Sequence, residues 1–254
     1  MLNLMKSEIL KVRSTQVWFW MLVLAVALTG LTCAGELSGV HSHEPSESVD
    51  YFNILKPFWL TGVALLVLGL LGLTTEYRHK TITPTLLATP NRLQLLLGKT
   101  VAYGILSVLY STVCVVVNVV MASIWLSALS VPVKFGGEVP SGLLRSFLSL
   151  LLLGLFGLGL GLLVRNQAAA MVIGLAYLFV LNFILAGIPF VRKAWPYEPG
   201  GAFIQLIRST RRDDMNLPSD VHQYAPAVAG LILLGWSVIL LALGYVVSLR
   251  RDVS

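Results

Sequence analysis

Histidines are the first residues whose types and spacing could do chemistry in this 254-residue sequence. His41 and His43 stand two residues apart with Glu44 and Glu47 nearby, a loose version of a metal-ligand pattern. Exposed histidines are common in loops, so we expect no metal there. The sequence has no HExxH motif, all four histidines lie outside the long apolar runs, and no acid lies well inside one. We therefore predict a chain with no catalytic residues.

A glycine run could suggest nucleotide binding. Gly157, Gly159 and Gly161 alternate with leucines, but they lie in the middle of an apolar run and no strand pattern precedes them. Small residues in such a place let helices approach closely, which is the better interpretation. The sequence also contains no GxxxxGK[ST] loop. We therefore expect no cofactor in this chain and no ATP hydrolysis by it.

The apolar runs carry neutral polar groups such as Asn118, Tyr177 and Asn182 rather than charges. Proton-coupled and sodium-coupled transporters usually keep ionisable groups inside the bilayer, so this pattern disfavours that class. Broken helices can bind sodium through backbone carbonyls, and an ion-driven transporter therefore stays open as an alternative.

The elements that must hold these residues are helices that cross a membrane. Hydrophobic residues form 56% of the sequence and charged residues 12%, about half the charged fraction of a soluble domain. A helix needs about 20 apolar residues to cross the hydrocarbon. The predicted fold is an all-α polytopic membrane protein, a single domain over 1–254 with six transmembrane helices. The six runs are 17–35, 57–75, 100–129, 146–164, 168–190 and 226–249.

Residues 1–14 predict a separate amphipathic helix. Leu2, Met5, Ile9 and Val12 repeat at spacings of three and four, and Lys6, Lys11 and Arg13 lie on the remaining surface. This pattern is typical of an interfacial helix that lies along an anionic membrane surface.

The loop charges predict the orientation. With six crossings, one side holds 10 basic residues and the other 8, but five of those eight lie in the long loop 191–225, where the positive-inside rule counts least. We therefore expect a multi-pass protein of the cell membrane with both termini in the cytoplasm. Loop 191–225 then lies outside, and several prolines and glycines interrupt it.

The most informative segment is 75–92, which lies in the cytoplasm in this orientation. Thr89 and Pro90 suit the N-cap and the first residue of the third helix. Ile82, Leu86 and Leu87 form a small apolar face within a charged surround. Such an element can dock into a groove on a soluble partner, and a solvated loop is an equally good interpretation of composition alone.

The amino-acid sequence of this segment resembles that of a known family. The run E-Y-R-H-K-T from Glu76, followed by T-L-L-A-T-P-N-R ending at Arg92, is similar to the coupling segment of type-2 ATP-binding-cassette (ABC) exporter permeases, especially actinobacterial ones. There the pattern reads E-Y-R-x-G-T and then T-L-x-x-T-P-x-R. The start at residues 8–14, the junction at 157–166 and the stretch 199–201 also resemble the family, so the likeness covers nearly the whole chain. Lys80 departs from it by standing where the family commonly has glycine.

The resemblance implies a permease subunit that exports an amphipathic or lipophilic substrate, such as a drug, an antibiotic or a lipid. It also implies short helices or a re-entrant turn in the outer loop 191–225. Its expected partners are a separate ABC ATPase subunit, which would bind ATP and Mg, a second permease copy or paralogue, and membrane lipids. A non-transporting membrane regulator is a further alternative. The expected coupling residues are Glu76, Tyr77, Arg78, Lys80, Thr81, Thr89, Pro90 and Arg92. Weaker candidates for the substrate pathway are Phe58, Trp59, Tyr177 and Asn182.

Overall fold

A computed structural model describes residues 16–41, 51–56, 59–82, 91–208 and 221–249. Within these ranges the chain is all-α and contains no strand. Six helical stretches are long and apolar enough to cross a membrane, which confirms the predicted fold class. They are Val17–Leu37, Tyr51–Arg78, Arg92–Ala128, Val139–Val164, Gln167–Gly187 and Pro226–Val247. The predicted interfacial helix 1–14 lies outside the described residues.

The described residues form ten α-helices and three short segments of other helical type, some of which lie between the spans. The first half of the chain holds α1 Val17–Leu37, α2 Tyr51–Leu55, α3 Trp59–Arg78, α4 Arg92–Ala128 and α5 Val139–Val164. The fifth span comprises α6 Gln167–Ala176, a π-helix Tyr177–Leu181 and α7 Asn182–Gly187. Then follow α8 Pro189–Arg192, a 3-10 helix Trp195–Tyr197, α9 Pro199–Ile207, α10 Pro226–Gly244 and a second π-helix Tyr245–Leu249.

Two faces of the helix bundle are defined by the alternation of the spans. The N-terminal face holds the start of α1, the end of α3, the start of α4 and the turn between α5 and α6. The loop face holds α2, α8 and α9. Each span runs from one face to the other, so any residue can be assigned to a face from its place in its helix.

Helix α3 forms the centre of the bundle, since 87% of the apolar window of its span is buried. Its main neighbour is α5, and the two backbones approach closely at glycines. A Cβ atom on Gly157 would collide with the carbonyl oxygen of Leu66, and one on Gly161 would lie 2.7 Å from the carbonyl oxygen of Leu70. This confirms the interpretation of the glycine run as a helix-packing surface.

Polar groups within the bundle pair with one another. The hydroxyls of Thr29 and Thr61 lie 3.1 Å apart between α1 and α3. The Asn118 side chain of α4 donates to the carbonyl of Ile54, at 2.9 Å. A buried amide or hydroxyl needs such a partner where water is excluded, because an unmade hydrogen bond costs about 1–3 kcal/mol. Many apolar side chains instead face outward, as expected of a surface that meets lipid or a second membrane subunit.

Helix α4 begins before the predicted apolar run 100–129 but two residues after the predicted helix start at Pro90. The Asn91 side chain accepts hydrogen bonds from the backbone N–H groups of Leu93 and Gln94, at 3.2 and 3.3 Å. Asn91 is therefore the N-cap, and the prediction of Thr89 and Pro90 for that place is wrong. The helix has 37 residues, which gives a length of about 56 Å. That exceeds the roughly 30 Å of hydrocarbon, as expected for a helix that tilts or protrudes.

Candidate functional site

The end of α3 forms a Schellman motif. The Thr81 N–H donates to the carbonyl of Glu76 at 2.9 Å, and the Lys80 N–H donates to the carbonyl of Tyr77 at 3.3 Å. Lys80 has φ of 56°, the left-handed conformation that glycine adopts most easily. The place where the resembling family commonly has glycine is therefore a place that needs positive φ. Lysine keeps the same turn here, at a cost of about 1 kcal/mol in backbone strain.

Below this turn, Glu76 forms an ion pair within the chain. Its Oε1 lies 2.8 Å from Nζ of Lys99, and the two side chains are 9% and 2% exposed. Glu76 belongs to the last turns of α3, and Lys99 lies two turns into α4. The pair therefore ties the two helices together at the base of the segment that connects them.

The other predicted coupling residues divide into outward and inward groups. Arg78, Lys80 and Thr81 are exposed at the N-terminal face, and Arg92 is half-buried at the first position of α4. Tyr77 is half-buried and packs with the cluster that contains Leu73. Thr89 and Pro90 lie outside the described residues.

The predicted apolar docking face includes one residue, Ile82, that is buried within the protein. For this residue the prediction is wrong. Ile82 is 4% exposed and packs against Leu73, Leu95, Leu96 and Leu162 of its own chain. It therefore anchors the turn to the bundle and offers no surface to a partner. Leu86 and Leu87, the other two residues of that face, lie outside the described residues.

The turn between α5 and α6 lies beside the end of α3. Arg165 adopts φ of 55° and donates to the carbonyl of Val247, which connects the turn to the end of the sixth span. The Asn166 side chain caps α6 by accepting from the N–H of Ala169, at 3.1 Å. Arg78 lies 3.4 Å from Oε1 of Gln167. Sequence reasoning missed this contact between the two segments.

Two of the four pathway candidates, Tyr177 and Asn182, make side-chain hydrogen bonds near the loop face. The Tyr177 hydroxyl donates to Oε2 of Glu198 at 2.7 Å and accepts from the N–H of Gly200 at 2.8 Å. The Trp195 indole N–H donates to Oδ1 of Asn182, at 2.8 Å. The bonds of Tyr177 join the fifth span to the start of α9, and the bond of Asn182 joins it to the 3-10 helix before α9. Trp59 begins α3, and Phe58 lies outside the described residues.

The bonds of Tyr177 and Asn182 lie at and just after the π-helix of the fifth span, which runs from Tyr177 to Leu181. Such single-turn insertions interrupt the regular hydrogen-bond ladder and occur frequently at functional sites. Gly200 is required beside it, because a Cβ at that residue would collide with Oδ1 of Asn182. The Pro199-Gly200-Gly201 stretch noted in the sequence is therefore the point at which α9 approaches the fifth span.

The other end of α9 is held by two cations that sequence reasoning did not assign. Nζ of Lys56 donates to the carbonyl of Ile207 at 3.0 Å, and Arg145 donates to the carbonyl of Arg208 at 3.2 Å. Lys56 is 3% exposed. Positive charge at a helix C-terminus satisfies its last carbonyls and complements the helix dipole. No sequence signal links these residues to α9, since each is distant from it along the chain.

We expect Glu198→Gln to remove a pH dependence of stability. Burial raises the pKa of Glu198 above its ordinary 4.5, although hydrogen bonds from Tyr177 and from the Gly201 backbone oppose the shift. The folded protein then binds this proton more tightly than the unfolded chain does. The carboxyl therefore stabilises the fold fully below pH 4.5 and loses that contribution as pH rises through its folded pKa.

Thermal unfolding of the wild type and of Glu198→Gln in detergent, from acid to neutral pH, tests this expectation. The glutamine keeps an acceptor for the Tyr177 hydroxyl, so it serves as its own structural control. The wild-type Tm should fall relative to the variant as pH rises. A difference in Tm that does not vary with pH would contradict the assignment.

The histidine pattern of the sequence lies mostly outside the described residues, which include His41 but not His43, Glu44 or Glu47. Among the residues that the structure describes, no group of three or more His, Cys, Asp or Glu side chains is placed to hold a metal.

A comparison with known protein families covers almost the full length of the chain. A family model described as "ABC-2 family transporter protein" matches residues 2–253. The chain belongs to this family. The resemblance found in the sequence is therefore confirmed at the level of an ABC-2 type permease. Members of the ABC-2 family are membrane transport components, generally non-catalytic, and function with an ATPase subunit. A comparison with curated proteins found no match.

Proposed function

We propose that this ABC-2 permease is the membrane subunit of an ATP-driven exporter for an amphipathic or lipophilic substrate. A separate ATPase subunit binds ATP and Mg and docks on the N-terminal face, which lies in the cytoplasm. Two permeases, identical or paralogous, pair within the membrane. The family supports the permease assignment, and the apolar composition supports the substrate class.

The observation that carries the proposal is the arrangement at the end of α3. Arg78, Lys80 and Thr81 project at the surface, directly above the buried pair between Glu76 and Lys99. A force applied to the exposed turn therefore acts on α3 and α4 together, because the ion pair joins them at 2.8 Å. Helix α3 is the central helix, so its movement reaches α5 through the glycine contacts.

The substrate pathway is proposed near the loop-face half of the fifth span. Tyr177 bonds to the start of α9 and Asn182 to the 3-10 helix that precedes it, so their part in the pathway is to set the position of these two elements beside the π-helix. By the family resemblance the second span lines the same substrate pathway, through Phe58 and Trp59.

The ion pair between Glu76 and Lys99 decides which substitution can test the coupling segment. Reversing the charge of Glu76 would place two cations together in a buried site and would disturb folding as well as docking. Arg78 is exposed, and its contact with Gln167 is a long one. Reversal at Arg78 therefore tests docking with little effect on the fold.

Arg78→Glu is expected to uncouple the ATPase from transport. A reversed charge at the rim of a docking surface opposes the partner's complementary charge, and substrate-stimulated ATP hydrolysis should fall about tenfold, the equivalent of ~1.4 kcal/mol. The measurement is ATPase activity and substrate efflux of permease reconstituted with its ATPase subunit.

Lys134→Glu on the loop face is the matched control, since Lys134 is also an exposed cation. It should leave both activities unchanged. Normal coupling in Arg78→Glu would overturn the role of the segment. Transport that persists when the ATPase subunit cannot hydrolyse ATP would instead favour the ion-driven alternative.

A further inference from the structure

A cavity of about 590 Å³ opens at the N-terminal face, between the end of α3 and the start of α6. Its polar part is formed by Arg78, Arg165 and Gln167, and its apolar part includes Met171 and Val172. In the described part of the chain none of the lining residues is acidic. The cavity therefore combines two positive charges with an apolar wall.

The position of the cavity relative to the membrane restricts its ligand. Met171 and Val172 belong to the span Gln167–Gly187, and Val172 is 67% exposed. The apolar wall therefore lies at the depth of acyl chains, where a soluble partner does not reach. Arg78 and Arg165 lie at the ends of the flanking spans, which is the depth of lipid headgroups.

Each arginine is oriented by a contact within the chain. Arg165 donates to the carbonyl of Val247, and Arg78 lies 3.4 Å from Oε1 of Gln167. A guanidinium is a planar fork with five donors, so each arginine can bind phosphate oxygens in addition to its acceptors within the protein. The amino end of α6 adds its helix dipole to this field.

We infer that this cavity binds one anionic phospholipid. Its phosphate lies between Arg78 and Arg165, and an acyl chain follows Met171 and Val172 into the hydrocarbon. The choice of the cytoplasmic leaflet rests on the orientation in the proposed function, whereas the binding itself does not. The lipid bridges the end of α3 to the turn before α6, so the composition of the leaflet affects the element that carries the exposed turn.

Native mass spectrometry of the purified full chain tests the inference in the absence of any ATPase subunit. The probes are phosphatidylglycerol and phosphatidylcholine with identical acyl chains, and inorganic phosphate alone. One phosphatidylglycerol should be retained per chain in preference to phosphatidylcholine. Arg165→Gln and Arg78→Gln should each weaken this retention about fivefold, and inorganic phosphate should not displace the lipid.

Lys134→Gln is the control for loss of one exposed cation on the other face, and it should retain phosphatidylglycerol normally. Val172→Trp fills the apolar part of the cavity and keeps both arginines, so it should weaken lipid retention as well. Equal retention of both lipids, or unchanged retention in Arg78→Gln and Arg165→Gln, overturns the inference. Displacement by phosphate together with normal retention in Val172→Trp makes the cavity a free phosphate site and also overturns it.

Folding of the variants is checked by thermal unfolding in detergent. Arg78 is exposed, so Arg78→Gln keeps the test decisive if Arg165→Gln fails to fold. A failure of lipid binding leaves the proposed transport function untouched, because that function is measured by ATPase coupling. Normal coupling in Arg78→Glu, together with preferential retention of phosphatidylglycerol by the wild type, would in turn overturn only the proposed function.

Discussion

Gly157→Val is expected to destabilise the permease by about 3 kcal/mol, the upper end of the usual cost of overpacking. A Cβ at Gly157 would collide with the carbonyl oxygen of Leu66 in the central helix α3. The obstacle is backbone, so no rotamer change can relieve the clash, and α3 and α5 must move apart. In a membrane such close packing is a principal source of helix association. The measurement is the thermal midpoint of the purified protein in detergent.

Gly235→Val is the matched control. Gly235 lies within α10, and a Cβ built there meets nothing within 4 Å. Both substitutions place a β-branched residue inside a transmembrane helix, so the cost in helix propensity is shared. The control should unfold near the wild-type temperature. Equal destabilisation of the two variants would show that helix propensity, and not the approach of α3 to α5, sets the effect.

Lys99→Met is expected to destabilise the folded state by about 3–5 kcal/mol, because it removes one partner of a buried ion pair. The two groups lie 2.8 Å apart, with side chains only 9% and 2% exposed. Methionine keeps the length and apolar stem of lysine, so the loss reports the charge more than the packing. Detergent unfolding measured at neutral pH gives the difference.

Exchange of the two charges provides the decisive control. Glu76→Lys combined with Lys99→Glu restores an ion pair and should recover most of the stability that either single reversal loses. Recovered stability with recovered ATPase coupling would mean that Glu76 acts within the chain. Recovered stability without coupling would mean that Glu76 also contacts the ATPase subunit. A double variant no more stable than the single reversals would contradict the ion-pair assignment.

The six spans could be predicted from the sequence because they follow from composition and hydropathy alone. Their ends could not be placed as well, and α4 shows the reason. The prediction starts the third span after the charge of Lys99, whereas the helix begins at Arg92. A hydropathy pattern treats a lysine as a limit of the span. Glu76 neutralises this one, and the helix continues through it.

The sequence could point to the segment around Glu76 as a candidate, but not to the direction of its side chains. The segment around Glu76 was identified from its letters, which cannot show that Glu76 and Ile82 turn toward their own chain. The bonds of Tyr177 to Glu198 and of Asn182 to Trp195 depend on how α9 returns to the fifth span. That return is a property of tertiary packing, and no spacing in the sequence encodes it.

Helix α4 has a mechanical consequence. It is continuous over 37 residues, so it behaves as a stiff lever about 56 Å long. Lys99 fixes one end of this lever to α3, and Asn118 fixes it again near the other end through the carbonyl of Ile54. For a lever of that length, a tilt of about 5° displaces the far tip by about 5 Å. We expect a small tilt of α4 to reach the opposite face without any bending, where α2 must move with it through the bond of Asn118 to Ile54.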